Sequence, residues 1–223
     1  MIEMLLVVAV IVLLISLLLP GLGSMREKAR RTQCQGQLHQ MGQNLMVYAQ
    51  ANLSWLPQGK RDNGDEHCIW VATVTHDTLA GLPLSSPASH VLYEEPDAMT
   101  ICPDIPRTFG YYRAPYGWVI GYNYLARHPI ASAEGGWKSP NRTNADPSLP
   151  VVVDLNNWSP DGWTFVNHTG RGGTVIGGSS PHPNSLRTEG GNRLELNGSV
   201  RWVDVAQMQY RRSGYGDAYP CLW

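Results

Sequence analysis

MIEMLLVVAVIVLLISLLL, residues Met1–Leu19, carries a single ionisable side chain, Glu3, and is closed by Pro20. At about 1.5 Å of rise per residue, a helix of this length just crosses the roughly 30 Å hydrocarbon core of a bilayer. A carboxylate inside such a helix costs about 3 kcal/mol or more unless a cation meets it, and the nearby chain offers none. A cleaved secretory signal would start with basic residues and end at a small-residue cleavage site, and this run does neither. A plain membrane anchor accounts for the length but leaves Glu3 unpartnered. The stem of an assembling subunit, in which a neighbour's N-terminal amine neutralises Glu3, accounts for both.

Beyond Pro20 the pattern changes from apolar all round to amphipathic. Leu38, Met41, Leu45 and Tyr48 fall at i, i+3, i+7 and i+10, with Cys34 one turn earlier on the same face. The opposite face is rich in Gln and Arg. Pro20, Gly21 and Gly23 weaken the helix between the two parts, which predicts a break near 20–24. The chain thus divides into a stem over 1–52, hydrophobic over 1–19 and amphipathic over 25–52, and a head over 53–223. The head is dense in Gly, Pro, Asn and Asp punctuation, with no internal repeat. Short strands are expected at Tyr111-Tyr112, Tyr122–Tyr124, Pro150–Asp154 and 162–166. The fold class is therefore α+β: a long N-terminal helix packed on a loop-rich antiparallel sheet.

The 12 residues Gly191–Trp202 read as a hairpin. A two-residue Asn-Gly loop would pair Leu194 with Arg201 and mix apolar with polar partners. A three-residue loop, Leu196-Asn197-Gly198, sets Leu194 opposite Val200 and Asn192 opposite Trp202. Only that loop keeps Leu194, Val200 and Trp202 on one face, with Gly198 at positive φ.

The opening segment resembles the start of a mature type IV pilin or pseudopilin, made with a leader ending in Gly and cut by prepilin peptidase. The family pattern is an aromatic or Met first residue, a Glu at the fifth mature position and a Pro near the twenty-second. Glu3 and Pro20 share that spacing, which implies a leader and two residues before Met1; otherwise Met1 is itself the first residue and the register of Glu3 changes. MREKARRTQCQGQLHQMGQNLMVYAQAN, Met25–Asn52, resembles the R-x-x-C-x-x-x-L-x-Q-x-G run of the large prepilin-like families of Planctomycetes, Lentisphaerae and related bacteria. The Gly191–Trp202 segment resembles their H…DG-[HS]-V-x-W ending, with Asn197 in place of Asp. The first fifty and last thirty residues carry the resemblance, and the middle matches loosely.

The resemblance implies that Glu3, Pro20, Gly21 and Gly23 serve assembly, with local unwinding around Pro20. Arg26, Lys28, Arg30 and Arg31 either face lipid headgroups and solvent or contact carboxylates of adjacent subunits. By the positive-inside rule alone this cluster would be cytoplasmic; the family orientation is the reverse. The four cysteines, Cys34, Cys68, Cys102 and Cys221, have no zinc-motif spacing, and an even count in an exported chain favours two disulfides. The R-x-x-C and C-P motifs recur together in the resembling family, which favours Cys34 with Cys102 and leaves Cys68 with Cys221; Cys34 with Cys221 is the rival staple.

No hydrolase, zinc-protease or nucleotide-binding motif is present, and the net charge of -1 gives no nucleic-acid footprint. His168, His182 and Asp154 could approach one another, and the two histidines are read as structural. Asp154, Asn156 and Asp161 offer oxygens for Ca²⁺ but miss EF-hand spacing, so no metal or cofactor is expected. Sequons occur at Asn52, Asn141, Asn167 and Asn197. Eight Trp and ten Tyr against two Phe favour aromatics with a polar end, suited to wet surfaces and subunit contacts.

The expected function is that of a structural, non-enzymatic subunit of a type IV pilus-like filament. Its partners would be identical subunits, the inner membrane before assembly, prepilin peptidase and the pilus assembly machinery, with the filament at the cell surface. Two alternatives are a type II secretion pseudopilin forming a short periplasmic piston and a membrane-anchored carbohydrate-binding module.

Overall fold

The computed structural model describes residues 2–92, 94–95, 97–158, 163–169, 172–177, 185, 187–212 and 220–223. Nothing is said of the side chains of residues 2, 5, 17–22, 131 and 134. Helix α1 runs unbroken over Ile2–Ala51, so the break expected near 20–24 is absent. One proline removes a single helical hydrogen bond and crowds one carbonyl. The flanking turns are built from Leu, Met, Arg, Lys and Ala, which favour helix and carry it across the flaw. The helix closes through the left-handed pair Leu53 and Ser54 (φ 53 and 66), with the Ser54 N–H donating to Ala49 O at 2.8 Å. Among the described residues no helix is long and apolar enough to cross a membrane.

The head begins with β1 (Trp70–Val71) and α2 (Thr73–Ala80). Strands β2 (Tyr111–Arg113) and β3 (Gly117–Val119) join β1 in a three-stranded sheet of order β1-β3-β2. Strand β4 (Tyr122–Tyr124), helix α3 (Pro129–Gly135) and strands β5 (Pro150–Asp154), β6 (Asn156–Trp158), β7 (Thr164–Val166) and β8 (Thr174–Ile176) follow. Last come β9 (Gly190–Glu195), β10 (Val200–Asp204), β11 (Tyr210–Arg212) and β12 (Pro220–Leu222). They form a four-stranded sheet, β10-β9-β5-β4, and a five-stranded one, β11-β12-β6-β7-β8, with neighbours antiparallel throughout. The strands expected from the sequence lie in β2, β4, β5 and β7.

Helix α1 docks on the four-stranded sheet, contacting β9 and β10, through a stripe comprising Glu27, Cys34, Leu38, Met41, Gly42, Leu45 and Ala49, all buried. Tyr48, expected in that stripe, is half-buried at its edge. Gly42 lets the helix come close: a Cβ there would stand 3.1 Å from Leu194 Cδ1. Opposite the helix, β9 and β10 pair Leu194 with Val200 and Asn192 with Trp202, around a loop with Gly198 at φ 85. Leu155 lies between β5 and β6, so at one residue the chain passes from one sheet to the other. A reciprocal amide pair, Asn123 with Asn157 at 2.8 and 2.9 Å, fastens the sheets where they meet. Asn167 donates to Gly121 O at 3.1 Å and is fully buried. Its sequon is thus closed to a glycan, whereas Asn141 and Asn197 are exposed.

Leu38 is fully buried in the main core cluster, and Leu38→Ala should cost about 2–5 kcal/mol, read as a lowered urea midpoint. His128 is also buried, its Nε2 donating to Tyr124 O at 2.9 Å, and burial lowers its pKa to about 3. An unfolded chain protonates histidine near pH 6.5, roughly, so it takes up a proton that the folded chain refuses. Stability should therefore fall as pH drops from about 6.5 towards 3, by up to about 1.4 kcal/mol per pH unit. His128→Gln should flatten that slope in urea titrations at about pH 7 and about pH 4.5; equal slopes would refute the assignment.

Candidate functional site

The stem has two unlike parts. Glu3 is exposed, and Met4, Leu6, Val7, Val8 and Val10–Ile15 stand clear of the head with 49–77% of their surface open. Among the described residues, nothing covers their apolar faces. Gly23 is also exposed, with nothing within 4 Å of a Cβ placed on it; the side chain of Pro20 lies outside the description.

From Glu27 onward the helix is gripped, and a buried polar centre sits at the top of the grip. The imidazole of His168, which follows β7, lies between three carboxylates. Its Nδ1 donates to Asp104 Oδ2 at 2.8 Å and approaches Glu27 Oε1 at 3.1 Å. Its Nε2 lies 3.2 Å from Asp154 Oδ2. Burial opposes a charge on this ring, but Asp154 and the bonds to Asp104 and Asp154 outweigh it, raising the pKa far above the ordinary histidine range. His168 is therefore an enclosed imidazolium. Asp104 is lowered despite burial, because His168 and Arg30 both donate to it. Asp154, at the end of β5, receives the Asn192 N–H at 2.6 Å, Asn192 Nδ2 at 2.9 Å and Asn167 Nδ2 at 3.2 Å.

Stem and loops meet around this centre. Arg30 binds Asp104 at 2.8 Å, while Arg31 binds Glu27 at 2.9 Å and also Glu189. Arg31 lies 4.2 Å over the Trp202 ring. These two arginines thus pair with carboxylates of their own chain. Cys34 Sγ lies 2.8 Å from Cys102 Sγ, both as free buried thiols, so the structure brings together the pair that the resemblance favours. Burial raises the Cys34 thiol, but Cys102 and His168 bring it below its ordinary value. Burial and the contact with Cys34 push Cys102 well above. Cys68 and Cys221 share a small apolar cluster with Leu125, Val153 and Trp223.

The remaining sequence candidates fare differently. Asp154 Oδ2 is engaged as above, and Asn156 bonds Thr188 at 2.6 Å and Gly190 O at 3.3 Å. Both are therefore engaged in internal bonds. Asp161 and His182 lie outside the described residues.

Two further features gave no signal in the sequence. Ser85 Oγ lies 2.9 Å from His90 Nε2, whose Nδ1 lies 3.0 Å from Glu94 Oε2, the spacing of a Ser-His-Glu relay. Ser85 donates both its hydroxyl and its N–H to Asp77, so its hydroxyl proton points at Asp77 and away from His90. The second feature is an aromatic cleft of 570 Å³, lined by residues including Trp70, Phe109, Tyr111, Trp163 and Phe165. Trp163 is half exposed and parallel to Phe165, at 10°.

A family model described as "Protein of unknown function (DUF1559)", SBP_bac_10, matches residues 23–75. The match covers about a quarter of the chain: the gripped half of α1, the helix exit, β1 and the start of α2. No curated protein and no solved structure matches the chain. The matched segment supplies Glu27, Arg30, Arg31 and Cys34, the stem's share of the polar centre.

Removing Asp104 would strand the His168 charge and free Arg30. Asp104→Ala should cost about 3–5 kcal/mol, measured by urea denaturation, because it breaks a buried charge pair rather than replacing it.

Proposed function

We propose that this chain is a structural subunit of a type IV pilus-like extracellular filament, assembled through its N-terminal helix. The observation that carries the reading is the bare apolar surface of Met4, Leu6, Val7, Val8 and Val10–Ile15 on a helix whose other half is firmly held. Apolar area left in water costs about 25 cal/mol per Å², so this stretch needs cover. A bilayer supplies it before assembly and the stems of identical subunits supply it afterwards. Glu3 distinguishes the two covers: in lipid its charge is a liability, while in a bundle it can pair with a neighbour's terminal amine and set the stagger between subunits. Pilins and pseudopilins share this chemistry; filament length separates them. The aromatic cleft favours a second role, stacking sugar rings at the filament surface.

Glu3→Ala should leave the head folded by circular dichroism while abolishing or greatly shortening fibres sheared from the cell surface and seen by negative stain. Fibres of normal length from that variant would sink the proposal. A short periplasmic fibre, with none at the surface, would assign the chain to a secretion system instead.

A further inference from the structure

Cys34, Cys102, Asp154 and His168 bring two sulfurs, a carboxylate oxygen and an imidazole nitrogen within 4.8 Å of one another, all buried. Two details go beyond packing. His168 is held as metal-binding histidines are held: a carboxylate, Asp104, fixes Nδ1 at 2.8 Å, and Nε2 lies 3.2 Å from Asp154 and 3.9 Å from Cys102. The amides of Asn167 and Asn192 both bind Asp154 through nitrogen. Their buried oxygens have no partner among the described residues.

We propose that the reduced chain binds one divalent cation of the zinc class here, through Sγ of Cys34 and Cys102, Nε2 of His168 and a carboxylate oxygen of Asp154, fastening the stem helix to the head. Tetrahedral bonds of about 2.3 Å to sulfur and about 2.0 Å to nitrogen or oxygen require roughly 3.8 Å between sulfurs, 3.5 Å from nitrogen to sulfur and 3.3 Å from nitrogen to oxygen. The distances from Nε2, 3.9 Å to Cys102 and 3.2 Å to Asp154, already stand near those values. The sulfurs, at 2.8 Å, must part by about 1 Å. Two thiolates with an imidazole select zinc-like ions over calcium or magnesium. On binding, the proton on Nε2 and those on the thiols leave to solvent, while the Nδ1 proton stays on the bond to Asp104. The ion then takes over the positive charge that the imidazolium supplies to Asp154.

The test is a Co²⁺ titration of the full chain, reduced, metal-stripped and in detergent. A thiolate-to-cobalt charge-transfer band should appear, saturate at one ion per chain and be displaced by Zn²⁺, with protons released. Cys34→Ser and Cys102→Ser should each abolish the band, Asp154→Asn should weaken cobalt binding at least about tenfold, and Cys68→Ser should leave it unchanged. Circular dichroism of each metal-free variant separates loss of the site from loss of the fold. No band from a folded chain would overturn the proposal, as would a band surviving in the Cys34/Cys102 double variant. So would a Cys34–Cys102 disulfide found by mass spectrometry in protein isolated from its cells with thiols blocked at lysis.

Discussion

One positive charge organises this protein. His168 is sealed from water and carries a proton on each ring nitrogen, so the carboxylates around it have to stay. Those carboxylates come from distant parts of the chain: Glu27 from the stem, Asp104 from the loop before β2, and Asp154 from the last position of β5. Taking an ion out of water costs several kcal/mol even after relaxation, and the cost falls due whenever a partner leaves. The stem cannot detach from the head, nor β5 shift in register, without exposing that deficit. Apolar contacts along Leu38, Met41 and Leu45 supply most of the adhesion, but such contacts tolerate small slides. The charge cluster does not, and so it defines where the helix sits.

The passage from β5 to β6 explains how the cluster is assembled. Because the chain changes sheets at Leu155, Asp154 ends one layer while the Asn167 N–H bonds to Leu155 O at 2.9 Å. His168 therefore arrives beside Asp154 by backbone geometry alone. Cys102 and Asp104 lie two residues apart on one loop and meet the stem together, one at Cys34 and the other at Arg30. The aromatic excess then finds a use around this frame: Trp202 lies under Arg31, and the Tyr122 hydroxyl donates to Gln37 Oε1 at 2.7 Å. These are the polar-ended contacts for which Tyr and Trp suit better than Phe.

What the sequence disclosed is what short-range periodicity encodes. The helical stripe from Cys34 to Leu45 and the odd-length hairpin loop follow from repeats of 3.6 and 2 residues, visible within a dozen positions. Of the polar centre, the approach of His168 to Asp154 was legible, but the carboxylates on its other nitrogen were not, because Glu27 lies 141 residues from His168 and Asp104 lies 64. No local pattern marks His168 as the charged member of such a cluster. Arg30 and Arg31 were legible as a basic cluster but not as internal partners, since their carboxylates, Asp104 and Glu189, lie 74 and 158 residues away along the chain. The expected break at Pro20 failed for the opposite reason: a local flaw was weighed without the strong helix formers on either side.

The grip is spaced at whole helical turns, and that makes it a keyed joint. Moving the stem by one turn would bring either Gly23 or Arg31 to the place of Glu27. The first offers the imidazolium nothing, and the second offers it a like charge. The head therefore cannot ride up or down its own stem as a piston rides in a sleeve. Stem and head therefore move as one body, with the joint between them left locked.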